Sequence, residues 1–224
     1  MRRHLLTLAA ASTSIALIYS ALGFSPEWWP DRSYGPRAED VHWKLSVATG
    51  STAVLLLGTT LCIGPIRRFR SGRAGPVHLP TRRVIGVWSA VVAWVHVVFG
   101  VTIHAAGWRI WVPFTHLWES QGKLRILAAA MFLGLSAALT LAIVAAASNS
   151  YSLRRLGARR WKHLQRLTYV AAGLIALHVI GMQIQEDRDA RHAGMMIAGL
   201  LTVAGIQVAG VVYTRRNDLA RPRG

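Results

Sequence analysis

Long apolar segments separated by short basic clusters constrain this chain more than any other feature. A helix that crosses a bilayer needs about 20 mostly apolar residues. Six segments of the 224-residue sequence meet that requirement, at approximately residues 5–24, 45–66, 84–106, 124–147, 164–184 and 193–213. A mean hydropathy of +0.35, with 53% hydrophobic residues, supports the membrane class. The sequence therefore predicts an all-α integral membrane bundle of six transmembrane helices, formed as one domain over residues 1–224.

The charged residues divide between the two sides of such a bundle. Of the 26 lysines and arginines, 18 fall before the first span, between the second and third, between the fourth and fifth, or after the sixth; eight of the nine acidic residues fall on the opposite side. By the positive-inside rule this division predicts that both termini are cytoplasmic and that the protein lies in the bacterial inner membrane. Because the basic residues sit in clusters between apolar runs, the net charge of +17 does not indicate a nucleic-acid partner.

The first span allows two interpretations, and so do the tryptophan-rich loops. Residues 5–24 have the basic start of a cleaved signal peptide, but the apolar stretch is long for that role, so we expect an uncut anchor. Most tryptophans lie in the segments 25–43 and 107–118, where an interfacial aromatic belt is the expected role. A surface that docks a partner protein is the alternative for these two loops.

Three histidines lie within the predicted spans, and two of them are expected at the same depth. Ionisable groups inside a membrane are rare and usually functional. His96 is 13 residues past Arg83, and His178 is 12 residues past Arg166. At about 1.5 Å per residue, both rings lie roughly 18–20 Å from the cytoplasmic boundary. The third and fifth helices therefore present two level imidazoles in the outer half of the bilayer.

Two level imidazoles can take both axial positions of a haem iron, since a neutral imidazole nitrogen is a good ligand for iron. Bis-histidine ligation leaves no open position for a substrate and suits electron transfer. Gly100 and Gly181 follow His96 and His178 by one helical turn or less, so they are candidates for a haem-facing surface. Ordinary helix packing is the alternative role for both glycines.

The remaining histidines near the spans fit this site less well. His104 is eight residues beyond His96, about 80° off its face and about 12 Å higher, so an interfacial position is expected. His163 lies about 22 Å below His178 and is a weak candidate for a second, inner haem. A single cysteine, Cys62, rules out an internal disulfide and any metal site built from several cysteines.

Two segments resemble a known family. The stretches "TRRVIGVWSAVVAWVH" (81–96) and "RRLGARRWKHLQRLTYVAAGLIALH" (154–178) are similar to the ferric-reductase-like transmembrane domain, above all to its bacterial MsrQ/YedZ branch. The stretch "TGSTAVLLLGTTLCIGPIRR" (49–68) is similar to the second span of that branch. The resemblance implies that His96 and His178 hold haem b.

The resemblance also implies the partners of an electron relay. Electrons would enter from a cytoplasmic flavin reductase or from quinol, which leaves FMN or a quinone as further cofactor candidates. They would leave to a periplasmic molybdopterin-type reductase of oxidised methionine. The sequence departs from the family pattern at Gln165 and Val47, where relatives keep histidines. We interpret both changes as losses of inner-side ligands, so that one haem is expected.

Other functions compete with the relay. In a haem-free structural or binding protein the histidines would only brace the helices, and in a proton-coupled transporter they would be relay groups. The transporter is disfavoured because no inverted repeat or broken helix is visible. The basic run 154–166 is expected to touch anionic lipid headgroups, each residue contributing about 1 kcal/mol. A docking site for an acidic cytoplasmic reductase is the alternative for this run.

Overall fold

Seven helices make up the structure, a computed structural model that describes residues 1–23, 41–71, 79–104, 122–185 and 190–219. In chain order the helices are α1 (Arg2–Gly23), α2 (Val41–Ser71), α3 (Leu79–His104), α4 (Lys123–Ala146), α5 (Ser150–Gln165), α6 (Leu167–Gln185) and α7 (Ala190–Leu219). No strand occurs among the described residues, so the predicted all-α class is confirmed. Most of the two tryptophan-rich segments lies outside these ranges.

Five stretches of the described helices are long and apolar enough to cross a membrane: Val41–Arg70, Pro80–Ile103, Arg125–Ala146, Ser150–Ile184 and Met196–Arg216. They correspond to the second through sixth predicted spans. The first predicted span is a helix of 22 residues, α1, but it is not among the five. The count of six spans and the cytoplasmic termini stay predictions.

The bundle is built from two antiparallel helix pairs. Helix α2 packs along α3, α4 packs along α6, and contacts between α3 and α4 join the pairs. Small residues allow this close approach. Ala128, Ala130, Ala137 and Ala138 of α4 and Ala171 of α6 are buried. A central cluster joins both pairs through Leu57, Leu61, Ala90, Leu141 and Ala171.

Helix α1 is attached to the outside of the first pair. Its Ala11 is buried against Ala53 of α2 and Val92 of α3. Large apolar side chains elsewhere on the bundle surface point away from the protein, and those more than half exposed include Leu17, Phe132, Leu177, Leu201 and Val208. In a bilayer these side chains contact lipid acyl chains, which explains why apolar residues cover the surface as well as the interior.

A proline inside α2 is compensated by a glutamine of α7. Pro65 has no N–H and therefore cannot bond to the carbonyl of Leu61 in its own helix. The Nε2 atom of Gln207 donates to that carbonyl at 2.6 Å. A side chain at Gly210 would meet Cβ of Pro65 at 2.8 Å, so the glycine lets α7 lie directly against the proline. Within a membrane, this replacement bond satisfies a carbonyl that water cannot reach.

Helix α5 carries the basic run between the fourth and fifth predicted spans. The sequence predicted here only that the fifth span reaches back to Trp161 as an interfacial extension. The side chain of Asn149 caps α5 by accepting from the N–H of Ser152 at 2.7 Å. The helix is kinked at Gly157, whose φ of 73° and ψ of 159° are open almost only to glycine. Beyond the kink, Nε1 of Trp161 donates to the carbonyl of Ala147 at 2.9 Å. The second half of α5 is therefore fixed to the end of α4.

Candidate cofactor site

The two histidines expected at equal depth face each other across the centre of the bundle. The ring centroids of His96, on α3, and His178, on α6, are 6.1 Å apart, and the ring planes are inclined at 72°. Both side chains are partly buried. Helix α3 packs against α2 and α4 rather than closely on α6, so the two rings meet in a gap between the helix pairs.

Each ring is held from behind by a backbone carbonyl of another helix. The Nδ1 atom of His96 lies 2.8 Å from the carbonyl oxygen of Ser46 on α2. The Nδ1 atom of His178 lies 2.7 Å from the carbonyl oxygen of Ala130 on α4. A carbonyl only accepts, so Nδ1 carries the proton in both neutral rings, and the lone pair is on Nε2. This is the tautomer and the outer hydrogen bond that metal-ligating histidines usually have.

The rings open into a cavity between α2, α3, α4 and α6, and Met196 of α7 contributes to its wall. The wall is mostly apolar, and many of its residues are small: Ser46, Gly50, Ser51, Ala53, Ala93, Gly100, Gly134, Ala137 and Ala138. Small side chains leave flat stretches of helix surface on either side of the histidine pair. An apolar cleft of this kind, with a few polar groups, is the usual form of a cofactor site.

The separation of the two histidine rings leaves room for a metal between them. An imidazole nitrogen binds a metal at about 2 Å and lies about 1.1 Å from its ring centre, so two ligands on opposite sides of a metal would have ring centres about 6.2 Å apart. The observed ring centroids are 6.1 Å apart. Two imidazole nitrogens are the number of protein ligands that a haem iron needs, because the macrocycle supplies its other four ligands.

One polar atom of the cavity wall has no partner within the described part of the chain. Gln183 lies on α6, five residues past His178, and lines the cavity. Its Oε1 atom is buried without a hydrogen bond. Buried polar groups are nearly always paired, and an exception in a cavity wall is a candidate contact for a ligand. The amide nitrogen and oxygen can exchange places by a flip, so Gln183 could serve as donor or acceptor.

The two glycines that the sequence singled out occupy different places. Gly100 lines the cavity. A side chain at Gly181 would meet Cβ of Ala130 at 2.9 Å, so Gly181 lets α6 lie close against α4. A haem-facing role stays a prediction for both. The sequence reasoning missed Gly50 and Gly134, which lie directly against the two imidazoles. A threonine–glycine pair at 49–50, already present in the segment with family resemblance, was the available signal for Gly50.

The position of Gln165, at the end of α5, is taken up by hydrogen bonds. The Nε2 atom of Gln165 lies 3.2 Å from Oγ of Ser148 and 3.4 Å from the carbonyl oxygen of Val144. His163 is exposed on α5, and His104 ends α3 with a side chain outside the described part. His163 therefore lies at the bundle surface and does not line the cavity.

The interpretation of Val47 as a lost inner-side ligand is wrong. Val47 lines the same cavity as His96 and His178, and the neighbouring Ser46 contacts His96. The error came from treating the start of the second span as if it lay at the inner side. Helix α2 runs antiparallel to α3, so its first turns lie beside the last turns of α3, near the histidine pair and opposite to Gln165.

Comparison with known proteins gives a distant relationship. No family profile matches the chain. The haem-binding subunit MsrQ of the protein-methionine-sulfoxide reductase of Salmonella paratyphi B is 26% identical over 179 residues, which cover 79% of this chain and 84% of that protein. The MsrQ subunits of Salmonella newport and Salmonella heidelberg match with the same identity and coverage. These matches support a distant relationship between this chain and the MsrQ subunits.

The apolar helices and this relationship together settle where the protein resides. The chain is a multi-pass protein of the bacterial inner membrane, as the sequence predicted.

Proposed function

We propose that this chain is a haem b-containing electron-transfer subunit in which His96 and His178 are the two axial ligands. One observation carries the proposal: two imidazoles on different helices face each other with centres 6.1 Å apart, each tied through Nδ1 to a carbonyl. The relationship to MsrQ, which is named as a haem-binding subunit, supports it independently. We place the chain in the ferric-reductase-like superfamily on the same grounds.

The residues around the site would bind and orient the cofactor. A haem held by two histidines exchanges single electrons and offers no open position on its iron. The carbonyls of Ser46 and Ala130 keep both rings in the ligating tautomer and raise the basicity of Nε2. The apolar wall excludes water, while Gln183 supplies a polar contact at one edge. Together these features favour electron transfer over catalysis on a bound substrate.

We infer a single haem per chain. The exposed His163 and the hydrogen-bonded Gln165 do not form a second facing pair among the described residues. Gln165, at the end of α5, instead bonds to Ser148 and Val144 at the end of α4. On this inference the cofactor binds in the outer half of the bundle, and the inner half contains only packed helices.

We propose the direction of electron flow from the resemblance and from the depth of the histidines. Electrons enter from a cytoplasmic flavin reductase or from quinol, with FMN or a quinone as the donor's carrier. They leave on the outer side to an oxidoreductase, which the MsrQ relationship suggests is a periplasmic molybdopterin-type methionine sulfoxide reductase. A quinol dissolves in the membrane itself, whereas electrons from a cytoplasmic reductase would have to cross roughly 18–20 Å of helix to reach the histidine pair.

The test is the haem content and optical spectrum of the purified full chain. We expect about one haem per chain with a low-spin b-type reduced spectrum. His96→Ala and His178→Ala should each remove that spectrum, and added free imidazole should restore part of it by filling the vacated position. His163→Ala is the matched control and should keep full haem content.

The competing function makes the opposite forecast for the same measurement. If the histidines only brace the helices, the wild-type protein is colourless, and either alanine variant lowers the unfolding temperature without changing any redox signal. Colourless wild-type protein, or full haem in both alanine variants, would overturn the proposed function.

A further inference from the structure

The two histidines are held by the same local geometry on two unrelated helices. In each case the carbonyl that accepts from Nδ1 belongs to a residue four positions before a glycine. His96 contacts the carbonyl of Ser46, and the glycine is Gly50. His178 contacts the carbonyl of Ala130, and the glycine is Gly134.

The glycines matter because of the direction in which helical side chains point. A side chain on a helix leans toward the N-terminus and covers the turn before it. The side chain at position i+4 therefore lies over the carbonyl of residue i. A glycine at i+4 uncovers that carbonyl, and an imidazole can approach it from the side. The carbonyl keeps a second lone pair for this approach in addition to the one used within the helix.

The space that each glycine leaves is occupied by the imidazole itself. A Cβ atom at Gly50 would lie 2.9 Å from both Cε1 and Nδ1 of His96. A Cβ atom at Gly134 would lie 2.7 Å from Nδ1 and 2.9 Å from Cε1 of His178. Both separations are well inside van der Waals contact, so any other residue at either position would displace the ring.

We propose that Gly50 and Gly134 are positioning residues that set the orientation and basicity of the two axial imidazoles by uncovering the carbonyls of Ser46 and Ala130. This inference rests on the proposed haem-binding function. The Nδ1–H bond increases the electron density on Nε2, and a more basic ligand stabilises the oxidised iron. Loss of either carbonyl contact therefore raises the reduction potential.

The experiment compares Gly50→Ala and Gly134→Ala with Gly173→Ala and Gly199→Ala, in the full chain purified in detergent. A Cβ atom at Gly173 or Gly199 meets nothing within 4 Å, so both are matched controls on membrane helices. We expect haem affinity to fall about 10–100-fold in the two test variants, as for other losses of outer hydrogen bonds at metal sites. The haem that remains should show shifted electron paramagnetic resonance g-values and a raised potential. The controls should match the wild type.

Folding is separated from positioning by a double-variant cycle. The atom that must move is part of an imidazole, so the test variants are expected to fold. If Gly50→Ala lowers the unfolding temperature, that loss should disappear in the His96→Ala background, where no ring meets the new methyl group. An equal loss in both backgrounds would overturn the positioning role of Gly50, and the same comparison with His178→Ala applies to Gly134.

The outcomes distinguish this inference from the function on which it rests. Wild-type protein without haem overturns both. Wild-type protein with haem, together with test variants whose haem content, g-values and potential match those of the controls, overturns the glycine inference alone and leaves His96 and His178 as ligands.

Discussion

At the scale of single residues, two glutamines in similar sequence contexts differ in their hydrogen bonding. Gln183 and Gln207 both interrupt apolar segments. Gln207 donates to the carbonyl that Pro65 leaves without a helical partner. Gln183 has a buried oxygen without a partner in the described part of the chain and lines the cavity. The amide of Gln207 therefore makes a structural hydrogen bond, whereas the amide oxygen of Gln183 makes none within the described residues.

Replacing each glutamine by leucine should change the stability of the haem-free protein in opposite directions. Gln207→Leu leaves the carbonyl of Leu61 unsatisfied and should lower the free energy of unfolding by about 1 kcal/mol. Gln183→Leu removes an unpaired buried polar group and should raise it by about 1 kcal/mol. The free energy of unfolding of each variant can be measured by denaturation in mixed detergent micelles.

A control for the Gln207 effect comes from the proline itself. In a Pro65→Ala background the residue at 65 regains its N–H and can satisfy Leu61, so Gln207→Leu should then cost little. The same cost in both backgrounds would show that Gln207 acts by some route other than this carbonyl.

At the scale of one element, α5 concentrates charge at the end of the bundle that the positive-inside rule predicts to be cytoplasmic. All residues from Arg154 to Arg160 are exposed, and the segment 150–166 contains no acidic residue. Cζ of Arg83, at the start of α3, lies 5.9 Å from the centroid of the Trp161 ring, which holds the second half of α5 against two span ends. The helix therefore presents a fixed basic surface directly beside the membrane.

We expect α5 to lie against anionic headgroups, with each basic side chain contributing about 1 kcal/mol. A fluorophore on Ala158→Cys, in a Cys62→Ser background, should become less mobile when phosphatidylglycerol is added to phosphatidylcholine vesicles holding the protein. Arg159→Glu with Arg160→Glu should abolish that response, and so should high salt. A label on Thr202→Cys, exposed in the middle of α7, is the control.

An unchanged signal across the two vesicle compositions would exclude the headgroup role of α5. Altered electron-transfer rates from a cytoplasmic reductase in the same double variant would then favour the docking alternative.

At the scale of the whole molecule, the topology decides which side of the membrane the cavity faces. Helix α1 packs on α2 and α3 through Ala11, and it is not among the five stretches identified as long and apolar enough to cross a membrane. If α1 crosses the membrane, the number of spans is six and both termini share one side.

Reporter fusions test this topology. Green fluorescent protein should be bright, and alkaline phosphatase inactive, when either is fused to the C-terminus or placed before Arg2, because both reporters sense the compartment. Opposite results at the two ends would mean that an odd number of helices crosses the membrane. A fusion within 107–118, expected on the outer side, provides the reciprocal control.

The sequence by itself determined the membrane class, the helical fold and the approximate bounds of five apolar helices, and it singled out His96 and His178 as a pair. These properties depend on composition and on a fixed rise per residue, which are local and one-dimensional. Two features of α5 also correspond to local features of the sequence: its basic surface to the run of arginines, and its kink to Gly157.

Only the tertiary structure decided which groups meet between helices. The carbonyls of Ser46 and Ala130, the glycines at 50 and 134, and the level of Val47 depend on the rotation and direction of neighbouring helices. Apolar residues cover both the lipid-facing and the inward-facing surfaces in a membrane, so hydropathy does not reveal that rotation. Backbone carbonyls also carry no sequence signal, and it is they that hold the two histidines in place.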